Sequence, residues 1–275
     1  MTPRVVLTIA GSDSGGGAGL EADLATFGSL GVHGAVAVTA LTAQNTLGVF
    51  AVLAVEPEMV RAQVEAVTSD LRVAAVKTGM LARPSTVRAV AAMARDGLLP
   101  RLVVDPVLVS STGHLLMERG GVEAYRDELV GLADVVTPNL REAAVLVGTQ
   151  VEALDTVASM ADAGRVLVAH GARCCVVKGG HFQQGAATEQ QAPDVVVTAT
   201  EVLTLRADRV ETTNDHGTGC SMAAAIAVGL AEGLDSIAAV RRAKAYVAEG
   251  LRGAARWTIG AGHGPIDHFG WGPDT

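Results

Sequence analysis

Short apolar runs alternate with longer amphipathic stretches along most of the chain, and this alternation sets the expected architecture. The apolar runs predict strands at Val5–Ala10, Ala35–Ala40, Val49–Val55, Ala74–Lys77, Leu102–Val104, Asp134–Val136 and Cys174–Val177. The amphipathic stretches predict helices at Ala18–Leu30, Pro57–Leu71, Pro84–Asp96, Glu118–Leu132, Leu140–Val147 and Thr156–His170. This β-α alternation predicts an α/β fold with a doubly wound, mostly parallel sheet and helices on both faces.

The pattern changes after this region. Val195–Thr200 and Val202–Leu205 alternate between polar and apolar residues at period two, which predicts an antiparallel pair of strands. Two helices follow at His216–Glu232 and Ser236–Arg252, and the chain ends in a glycine-rich tail. We find no internal repeat, low-complexity linker or shift of composition, so we expect a single domain over residues 1–275.

Composition and charge narrow the class of protein. Of the 275 residues, 49% are hydrophobic but only 3% aromatic, which favours close packing of small side chains. The net charge is −8 and the basic residues are scattered, which argues against binding to nucleic acid or to an anionic membrane. The three cysteines and seven histidines show no disulfide or metal spacing. Neither a signal peptide nor a long apolar stretch is found, so we expect a soluble cytoplasmic protein.

The stretch Gly217-Thr218-Gly219-Cys220 carries the strongest chemical signal. Two glycines allow a tight turn whose N–H groups point into one concavity. The following helix directs the positive end of its dipole to the same place. The motif is typical of an anion-binding site with the Cys220 thiol beside the anion. Gly-x-Gly before a helix also occurs as a plain packing turn, and the motif alone leaves both interpretations open.

A first glycine-rich loop, Gly11–Gly19, follows the first predicted strand. It is not a Walker A phosphate loop, because no Gly-Lys-Ser/Thr follows. Gly17-x-Gly19-x-x-Ala22 fits a loose dinucleotide fingerprint, but this requires an acidic residue about 20 positions later, and residues 35–50 contain none. A loop that lets the backbone approach a small flat ligand fits the sequence better.

Asp23 lies on the apolar stripe of the first predicted helix, among Leu20, Leu24, Phe27 and Leu30. A carboxylate on a core-facing stripe must find a partner or a ligand. One alternative is a role beside the positive end of the helix dipole. We favour a ligand role, because the glycine loop precedes this helix directly.

Polar residues also follow three of the predicted strands, at the edge of the sheet where ligands bind in such folds. Asn139 and Glu142 present an amide and a carboxylate on one helical turn, and with Asp105 they suit a magnesium–phosphate site held largely through water. The same spacing is a capping-box variant, which is compatible with that role. Lys178 ends a buried strand, where an unpaired ammonium is costly, so a phosphate partner is expected.

Two further residues are ambiguous from their sequence context. Lys244 lies on the last predicted helix and is typical of a solvated charge. Gln44 follows the strand Ala35–Ala40 and is predicted to lie in a turn, although its amide could bind the edge of a heterocycle.

These motifs together resemble the ribokinase-like superfamily, and closely the hydroxymethylpyrimidine/phosphomethylpyrimidine kinases of thiamine biosynthesis. The resemblance runs in order along nearly the whole chain and is carried by Thr8–Gly19, Thr39–Gly48, Asp105-Pro106-Val107, Thr137-Pro138-Asn139 with Glu142, Val177–His181, His216–Cys220 and Gly262-His263-Gly264-Pro265.

The resemblance implies a ribokinase-like fold and two successive ATP-dependent phosphorylations, of 4-amino-5-hydroxymethyl-2-methylpyrimidine and then of its monophosphate. It implies that the pyrimidine pocket is lined by Gly11, Asp23, Gln44, Met80 and Val107. It implies that Mg²⁺ and ATP are held by Asp105, Asn139, Glu142, Lys178 and Lys244. Gly217, Thr218, Gly219 and Cys220 would stabilise the transferring phosphoryl group. A homodimer is a further expectation from the resemblance.

The chain departs from the wider superfamily at Cys220, where the sugar kinases usually have an aspartate as general base. We expect the helix N-terminus to lower the pKa of this thiol, which would let it accept the proton of the substrate hydroxyl. Asp215 is the competing base. A second departure is the stretch Ser110-Ser111-Thr112, where many relatives carry a lysine.

Two other functions stay open at this point. Pyridoxal kinase activity is the nearest alternative, because both substrates are flat hydroxymethyl heterocycles. A catalytically silent pyrimidine-binding module is the second, although such a module needs no magnesium or phosphate site. Cys220 and Gln44 argue against a sugar kinase.

Overall fold

The computed structural model describes residues 2–108, 116–180 and 191–272. Its strands are β1 Val5–Gly11, β2 His33–Asn45, β3 Gly48–Ala54, β4 Val73–Thr78, β5 Leu102–Val104, β6 Val135–Val136, β7 Cys174–Lys178, β8 Gln191–Thr198 and β9 Val202–Asp208. Its α-helices are α1 Gly19–Ser29, α2 Pro57–Asp70, α3 Pro84–Arg95, α4 Gly121–Ala124, α5 Leu140–Val147, α6 Val157–Ala169, α7 Thr218–Glu232 and α8 Ser236–Ala254.

All of these strands belong to one sheet in the order β3-β2-β1-β4-β5-β6-β7-β8-β9. Strands β2, β1, β4, β5, β6 and β7 pair in parallel. Strand β3 pairs antiparallel with β2, and β8 and β9 extend the other side as antiparallel strands. Strand β1 has β2 on one side and β4 on the other, so the strand order reverses at β1. Ligands bind at such a reversal in doubly wound sheets. The predicted doubly wound, mostly parallel sheet is confirmed.

Two apolar layers cover the faces of the sheet. Successive residues of a strand point to opposite faces, so Ile9 and Val104 pack on one side with α2, α3, α5 and α6. Val6 and Val103 pack on the other side with α1, α7 and α8. Small side chains bring the helices close together, which explains how a core with so few aromatic residues is filled.

Three predicted elements differ from the observed ones. The strand predicted at Ala35–Ala40 continues to Asn45, because β3 folds back and pairs with residues 40–45. The helix predicted from His216 begins at Thr218, because Gly217 adopts a left-handed conformation with φ of 79°.

The third difference lies in the predicted helix Glu118–Leu132. Gly120 is left-handed, with φ of 87°, and α4 begins only after it. The chain then continues as a π-helical turn at Tyr125–Leu129 and a 3₁₀ turn at Val130–Leu132. The Tyr125 side chain is fully buried, and its hydroxyl donates to the Gly79 carbonyl at 3.2 Å. None of the described helices is both long and apolar enough to cross a membrane.

Candidate active site

The carboxyl ends of β5, β6 and β7 bring three polar side chains together. Asp105 follows β5 and is almost completely buried. One of its carboxylate oxygens, Oδ1, accepts from the Thr137 hydroxyl at 2.9 Å and from the Lys178 ammonium at 2.8 Å. Lys178 is the last residue of β7, and its backbone N–H donates to the Pro138 carbonyl at 2.8 Å. The predicted convergence of Asp105 and Lys178 is therefore observed.

Asn139 and Glu142 form a capping box at the start of α5. The Asn139 side chain accepts from the Glu142 N–H at 2.9 Å, and a Glu142 carboxylate oxygen accepts from the Asn139 N–H at 2.8 Å. Burial raises the pKa of the Glu142 carboxyl to about 7, although the charge of Lys178 acts in the opposite direction. The capping role is thus real, and it keeps a carboxyl of raised pKa beside the Asp105–Lys178 pair.

The N-terminus of α7 lies against this same group. A Cβ atom added to Gly219 would lie 3.0 Å from the Lys178 Nζ and 3.9 Å from an Asp105 oxygen. A Cβ on Gly217 would collide with the backbone carbonyl of Gly17 in the first glycine loop. Both glycines are therefore required for close contact, and bare backbone faces the lysine. The turn Gly217–Cys220 therefore packs closely against its neighbours, and its position beside Lys178 is also compatible with an anion site.

The Cys220 thiol ends the second glycine-rich segment and accepts the backbone N–H of Gly19 in the first, and the residue is partly exposed. Burial raises the pKa of this thiol to about 11, although the charge of Lys77 and the Gly19 N–H act in the opposite direction. The expectation that the helix N-terminus would lower this pKa is therefore wrong. The helix terminus supplies only a partial charge, whereas removal from water penalises the whole charge of a thiolate.

Three of the residues expected to line the pyrimidine pocket meet on the other side of the site. A Cβ on Gly11 would collide with the Met80 methyl group, so Met80 packs directly on the backbone at the end of β1. Val107 packs against the small apolar cluster that contains Met80 and Ala40. The Thr39 hydroxyl donates to the Met80 carbonyl at 2.5 Å, which fixes the chain after β4. Gly11, Met80 and Val107 therefore share one apolar wall.

Asp23 has a protein partner that the sequence did not indicate. Its carboxylate oxygens accept from the Lys77 ammonium at 2.9 and 2.8 Å, and one of them also accepts from the Thr8 hydroxyl at 2.6 Å. Both charged side chains are completely buried. Leu24, which the predicted stripe included, is instead 40% exposed. A lysine at the end of an otherwise apolar strand, opposite a carboxylate on a core-facing helix, is the signal that could have found this pair.

Gln44 lies on β2 and not in the predicted turn. The antiparallel partner β3 keeps the backbone extended through Asn45. The side-chain amide nitrogen lies 3.1 Å from Nε2 of His216, and that same Nε2 lies 2.8 Å from an Asp13 carboxylate oxygen. Neither His216 nor Asp13 was singled out as a site residue from the sequence, although Asp13 lies in the first glycine-rich loop and His216 directly precedes the second glycine-rich stretch.

Lys244 is not a solvated charge. Its ammonium donates to an Asp194 carboxylate oxygen at 2.6 Å and to the Ala192 carbonyl at 2.9 Å. The other oxygen of Asp194 accepts from the Gly179 N–H at 2.9 Å, directly after Lys178. Lys244 therefore connects α8 to the segment that carries Lys178.

The predicted C-terminal motif joins the two sides of the site. His263 donates its backbone N–H to the Thr46 carbonyl at 3.0 Å, and the His216 N–H donates to the Gly264 carbonyl at 3.0 Å. The His263 ring lies 2.6 Å from the carboxylate of Asp215, the competing base, and both side chains are partly exposed. The motif holds the β2–β3 turn against the segment that leads into α7.

The donor set fits a magnesium–nucleotide complex. Lys178 and the N-terminus of α7 offer positive charge to phosphate, and bare backbone at Gly219 leaves room for a close approach. Asp105, Glu142 and Asn139 supply the carboxylate and amide oxygens that Mg²⁺ prefers, often through water. The stretch Ser110-Ser111-Thr112 lies outside the described residues.

Comparisons with known proteins identify the family of the chain. The phosphomethylpyrimidine kinase family profile matches residues 13–267. The chain is 48% identical to the hydroxymethylpyrimidine/phosphomethylpyrimidine kinase of Rhizobium meliloti, over 96% of this chain and 97% of that protein. It is 43% identical to the protein of the same name from Streptomyces coelicolor, over 98% of this chain and 96% of that protein.

A solved structure shows the same fold. The pyridoxal kinase from Staphylococcus aureus, in complex with AMP-PCP and pyridoxal, is similar with a TM-score of 0.86 and 31% identity. The match covers 98% of this chain and 95% of that chain. The fold is therefore ribokinase-like and the chain is a kinase, that is, a phosphotransferase. Sequence and structure agree that the chain belongs to the phosphomethylpyrimidine kinase family.

Proposed function

We propose that this chain phosphorylates the hydroxymethyl group of 4-amino-5-hydroxymethyl-2-methylpyrimidine with MgATP and then adds a second phosphate to the product, for thiamine biosynthesis. One observation carries the proposal. The Asp105–Lys178 pair and the bare N-terminus of α7 lie together at the end of the sheet, and the first glycine loop packs directly on that same turn. This backbone contact supports a phosphate site and a site for a small flat ligand next to each other.

Phosphoryl transfer depends mostly on positioning and on neutralising charge. In the proposed reaction, Lys178 and the N–H groups of Gly217 and Gly219 bind the transferring phosphoryl group. Thr218 belongs to the same turn, and its N–H donates to the Asp215 carbonyl at 3.4 Å. Mg²⁺ would neutralise phosphate charge, held through Asn139 and Glu142. Asp105 holds Lys178 in place, and Lys244 supports the same strand end through Asp194.

On the substrate side, Gly11, Met80 and Val107 form an apolar wall for the ring, and Gln44 binds its polar edge. Asp23 has a supporting role through its bonds to Lys77 and Thr8, since its carboxylate already accepts three hydrogen bonds. This arrangement favours a flat heterocycle over a sugar, which would need several polar partners for its hydroxyl groups.

The general base stays a hypothesis with two candidates. The raised pKa of Cys220 means that its thiol is protonated at neutral pH in the free protein. Asp215 is paired with His263. A loose transition state needs little help from a base, so we expect Cys220→Ser to keep most of the turnover. A loss of about a thousandfold or more in both Cys220→Ser and Cys220→Ala would instead make the thiol obligatory.

The decisive experiment is a mass-resolved assay with MgATP that offers the pyrimidine and pyridoxal in separate reactions. Monophosphate followed by diphosphate from the pyrimidine, with little product from pyridoxal, supports the proposal. Pyridoxal phosphate as the main product would assign the chain to the second candidate, which the pyridoxal kinase neighbour favours. No product from either substrate would support a silent binding module.

The homodimer expectation has an observation in its favour. The hairpin β2–β3 lies at the edge of the sheet and exposes Leu41, Leu47, Phe50, Val52 and Leu53, with Phe50 69% exposed. An exposed apolar edge of this kind is a common interface, and we propose a second copy of this chain as its partner. Light scattering should give a dimer for the native chain and a monomer for Phe50→Asp. A monomeric native chain would contradict the proposal.

The remaining assignments complete the proposal. One continuous sheet through the described residues supports a single domain over residues 1–275. The negative net charge and scattered basic residues support a cytoplasmic enzyme of small molecules that binds neither nucleic acid nor membrane.

A further inference from the structure

His216 occupies a junction between three segments of the proposed substrate site. Its ring nitrogen Nε2 lies 2.8 Å from the Asp13 carboxylate of the first glycine loop and 3.1 Å from the side-chain amide of Gln44 on β2. His216 itself directly precedes the Gly217–Cys220 turn. One imidazole therefore contacts both the loop and the amide expected to bind the ring.

The Asp13 carboxylate accepts hydrogen bonds from several donors. Its carboxylate accepts the backbone N–H groups of Gly15 at 2.8 Å, Gly17 at 3.1 Å and Ala18 at 2.9 Å, in addition to its contact with His216. Burial raises the pKa of this carboxyl, but the His216 and backbone contacts outweigh that effect and the pKa is lowered overall. An ionised carboxylate can only accept hydrogen bonds, so the Nε2 atom of His216 must carry a hydrogen.

That hydrogen determines the orientation of Gln44. This nitrogen has one hydrogen and no lone pair, so it cannot accept a bond from the amide NH₂ group. With the amide oxygen toward His216, the single hydrogen is shared between the Asp13 carboxylate and the Gln44 oxygen as a three-centre hydrogen bond. The two ends of the amide exchange by a half-turn of the side chain, and the hydrogen-bond network decides between them. With the oxygen toward His216, the NH₂ group faces the Thr42 hydroxyl, which lies 3.5 Å from the other end of the amide. That hydroxyl can accept, because its own hydrogen is donated to the Ser12 carbonyl at 2.9 Å.

The imidazole is also held in place by close packing. A Cβ on Gly17 would collide with the His216 ring, and a Cβ on Gly217 would collide with the Gly17 carbonyl. The His216 backbone N–H donates to the Gly264 carbonyl at 3.0 Å. The ring therefore cannot move away from Asp13 without moving the loop.

We propose that His216, held by Asp13, is a positioning residue that fixes the Gln44 amide with its oxygen inward and an N–H free for the substrate. The recognised chemistry is a flat heterocycle with an acceptor atom, such as a ring nitrogen, on the edge that faces Gln44. The inference rests on the proposed function for the role of Gln44, and it adds a residue that selects the ring and not the phosphate.

A double-mutant cycle between His216 and Gln44 tests this. His216→Phe keeps a flat ring but removes the donor, and we expect KM for the ring substrate to rise about tenfold, the usual effect of one lost hydrogen bond. KM for ATP should stay within about threefold, since no contact to the phosphate site is removed. His216→Gln restores an N–H donor and should recover most of the affinity.

The coupling between the His216 and Gln44 substitutions shows whether His216 acts by positioning Gln44 or by stabilising the site in general. If His216 acts through Gln44, then His216→Phe adds nothing to Gln44→Ala, and the double variant equals Gln44→Ala alone. Effects that multiply, or an equal rise in KM for ATP, would overturn the proposal. His33→Phe, at the exposed far end of β2, is the matched control for the substitution itself.

The double-mutant cycle can be interpreted separately from the test of the proposed function. Turnover of the pyrimidine or of pyridoxal by the native chain identifies the ring substrate, and the cycle is then run with that substrate. If the native chain turns over neither, the same four proteins are compared by calorimetric binding of the pyrimidine, where additive losses or no binding at all would contradict the inference.

Discussion

Two lysine–aspartate pairs lie near the carboxyl ends of parallel strands, and they differ in how completely they are closed. Lys77 of β4 donates to both carboxylate oxygens of Asp23, and both side chains are 0% exposed. Lys178 of β7 donates to one oxygen of Asp105, and its side chain is 13% exposed. The ammonium of Lys178 also faces the bare backbone of Gly219.

The difference distinguishes a closed structural pair from a more open pair that we propose as the phosphate site. The Asp23 carboxylate is saturated by Lys77 and Thr8, so the first pair has no opening toward a ligand. Among the described residues, the Lys178 ammonium donates only to Asp105, and its side chain is partly exposed. Burial lowers the pKa of each lysine, but the charges of the nearby acids outweigh it and raise both, so both remain ammonium ions.

The positions of all lysines in the chain extend the comparison of the two pairs. The chain contains only three lysines, Lys77, Lys178 and Lys244, while its other basic side chains are arginines. Each lysine is paired with an aspartate, and the third pair, Lys244–Asp194, is bonded to the backbone directly after Lys178. Lysine is thus reserved for buried or half-buried positions at the candidate site, where a compact charge on a flexible stem fits.

The largest expected effect is on stability, from opening the closed pair. Lys77→Met leaves the Asp23 carboxylate buried without its cation, which should lower the free energy of unfolding by about 3–5 kcal/mol. Urea unfolding followed by circular dichroism measures this. The matched control is Arg61→Met, which breaks an exposed pair with Glu65 and should cost less than about 1 kcal/mol.

A double variant checks the cause of that loss. Lys77→Met with Asp23→Leu removes both charges, so it should be more stable than Lys77→Met alone. If the double variant is less stable than the single one, the cost comes from packing and not from an uncompensated charge.

The next effect is on catalysis, from the open pair. Lys178→Met should lower kcat by about 10²–10³, because it removes a charge that stabilises the transferring phosphoryl group. Its loss of stability should be smaller than that of Lys77→Met, since the Lys178 side chain is 13% exposed whereas Lys77 is completely buried. Steady-state kinetics and urea unfolding of the same samples test both points. A stable Lys178→Met enzyme with native kcat would contradict the assignment.

A smaller effect concerns the thiol beside the closed pair. Burial raises the pKa of Cys220 from an ordinary value of 9.0 to about 11, and the charge of Lys77 only partly opposes this. A raised pKa means less thiolate, by about a hundredfold at pH 8. Iodoacetamide should therefore label Cys220 about a hundredfold more slowly than a free thiol at pH 8, with the rate rising through pH 10–11. Labelling as fast as a free thiol would show that burial is not the controlling factor.

The sequence predicted most of the fold but less of the site. Strands such as Leu102–Val104 and the α/β alternation follow from local periodicity, and Asp105 and Lys178 met because parallel strands end at one edge. The partners of Asp23, Gln44 and Asp13 lie 54, 172 and 203 residues away along the chain, and no local pattern specifies such contacts.

Two errors of sequence interpretation have the same physical origin. Gln44 was expected in a turn because its neighbours are polar, but pairing with β3 decides the conformation of an edge strand. Cys220 was expected to have a lowered pKa from its position at a helix start, but the removal of the thiol from water outweighs that position and raises the pKa. In both cases the tertiary environment overrode a correct local rule.

The most direct test of the contrast is calorimetric titration of Mg·AMP-PCP into the native chain, Lys178→Met and the surface control Arg88→Met, whose native partner is the exposed Glu128. We predict that Lys178→Met binds the nucleotide at least about tenfold more weakly, because a charged partner of phosphate is lost. Arg88→Met should bind like the native chain. Native affinity in a folded Lys178→Met protein would contradict the claim that the open pair is the phosphate site.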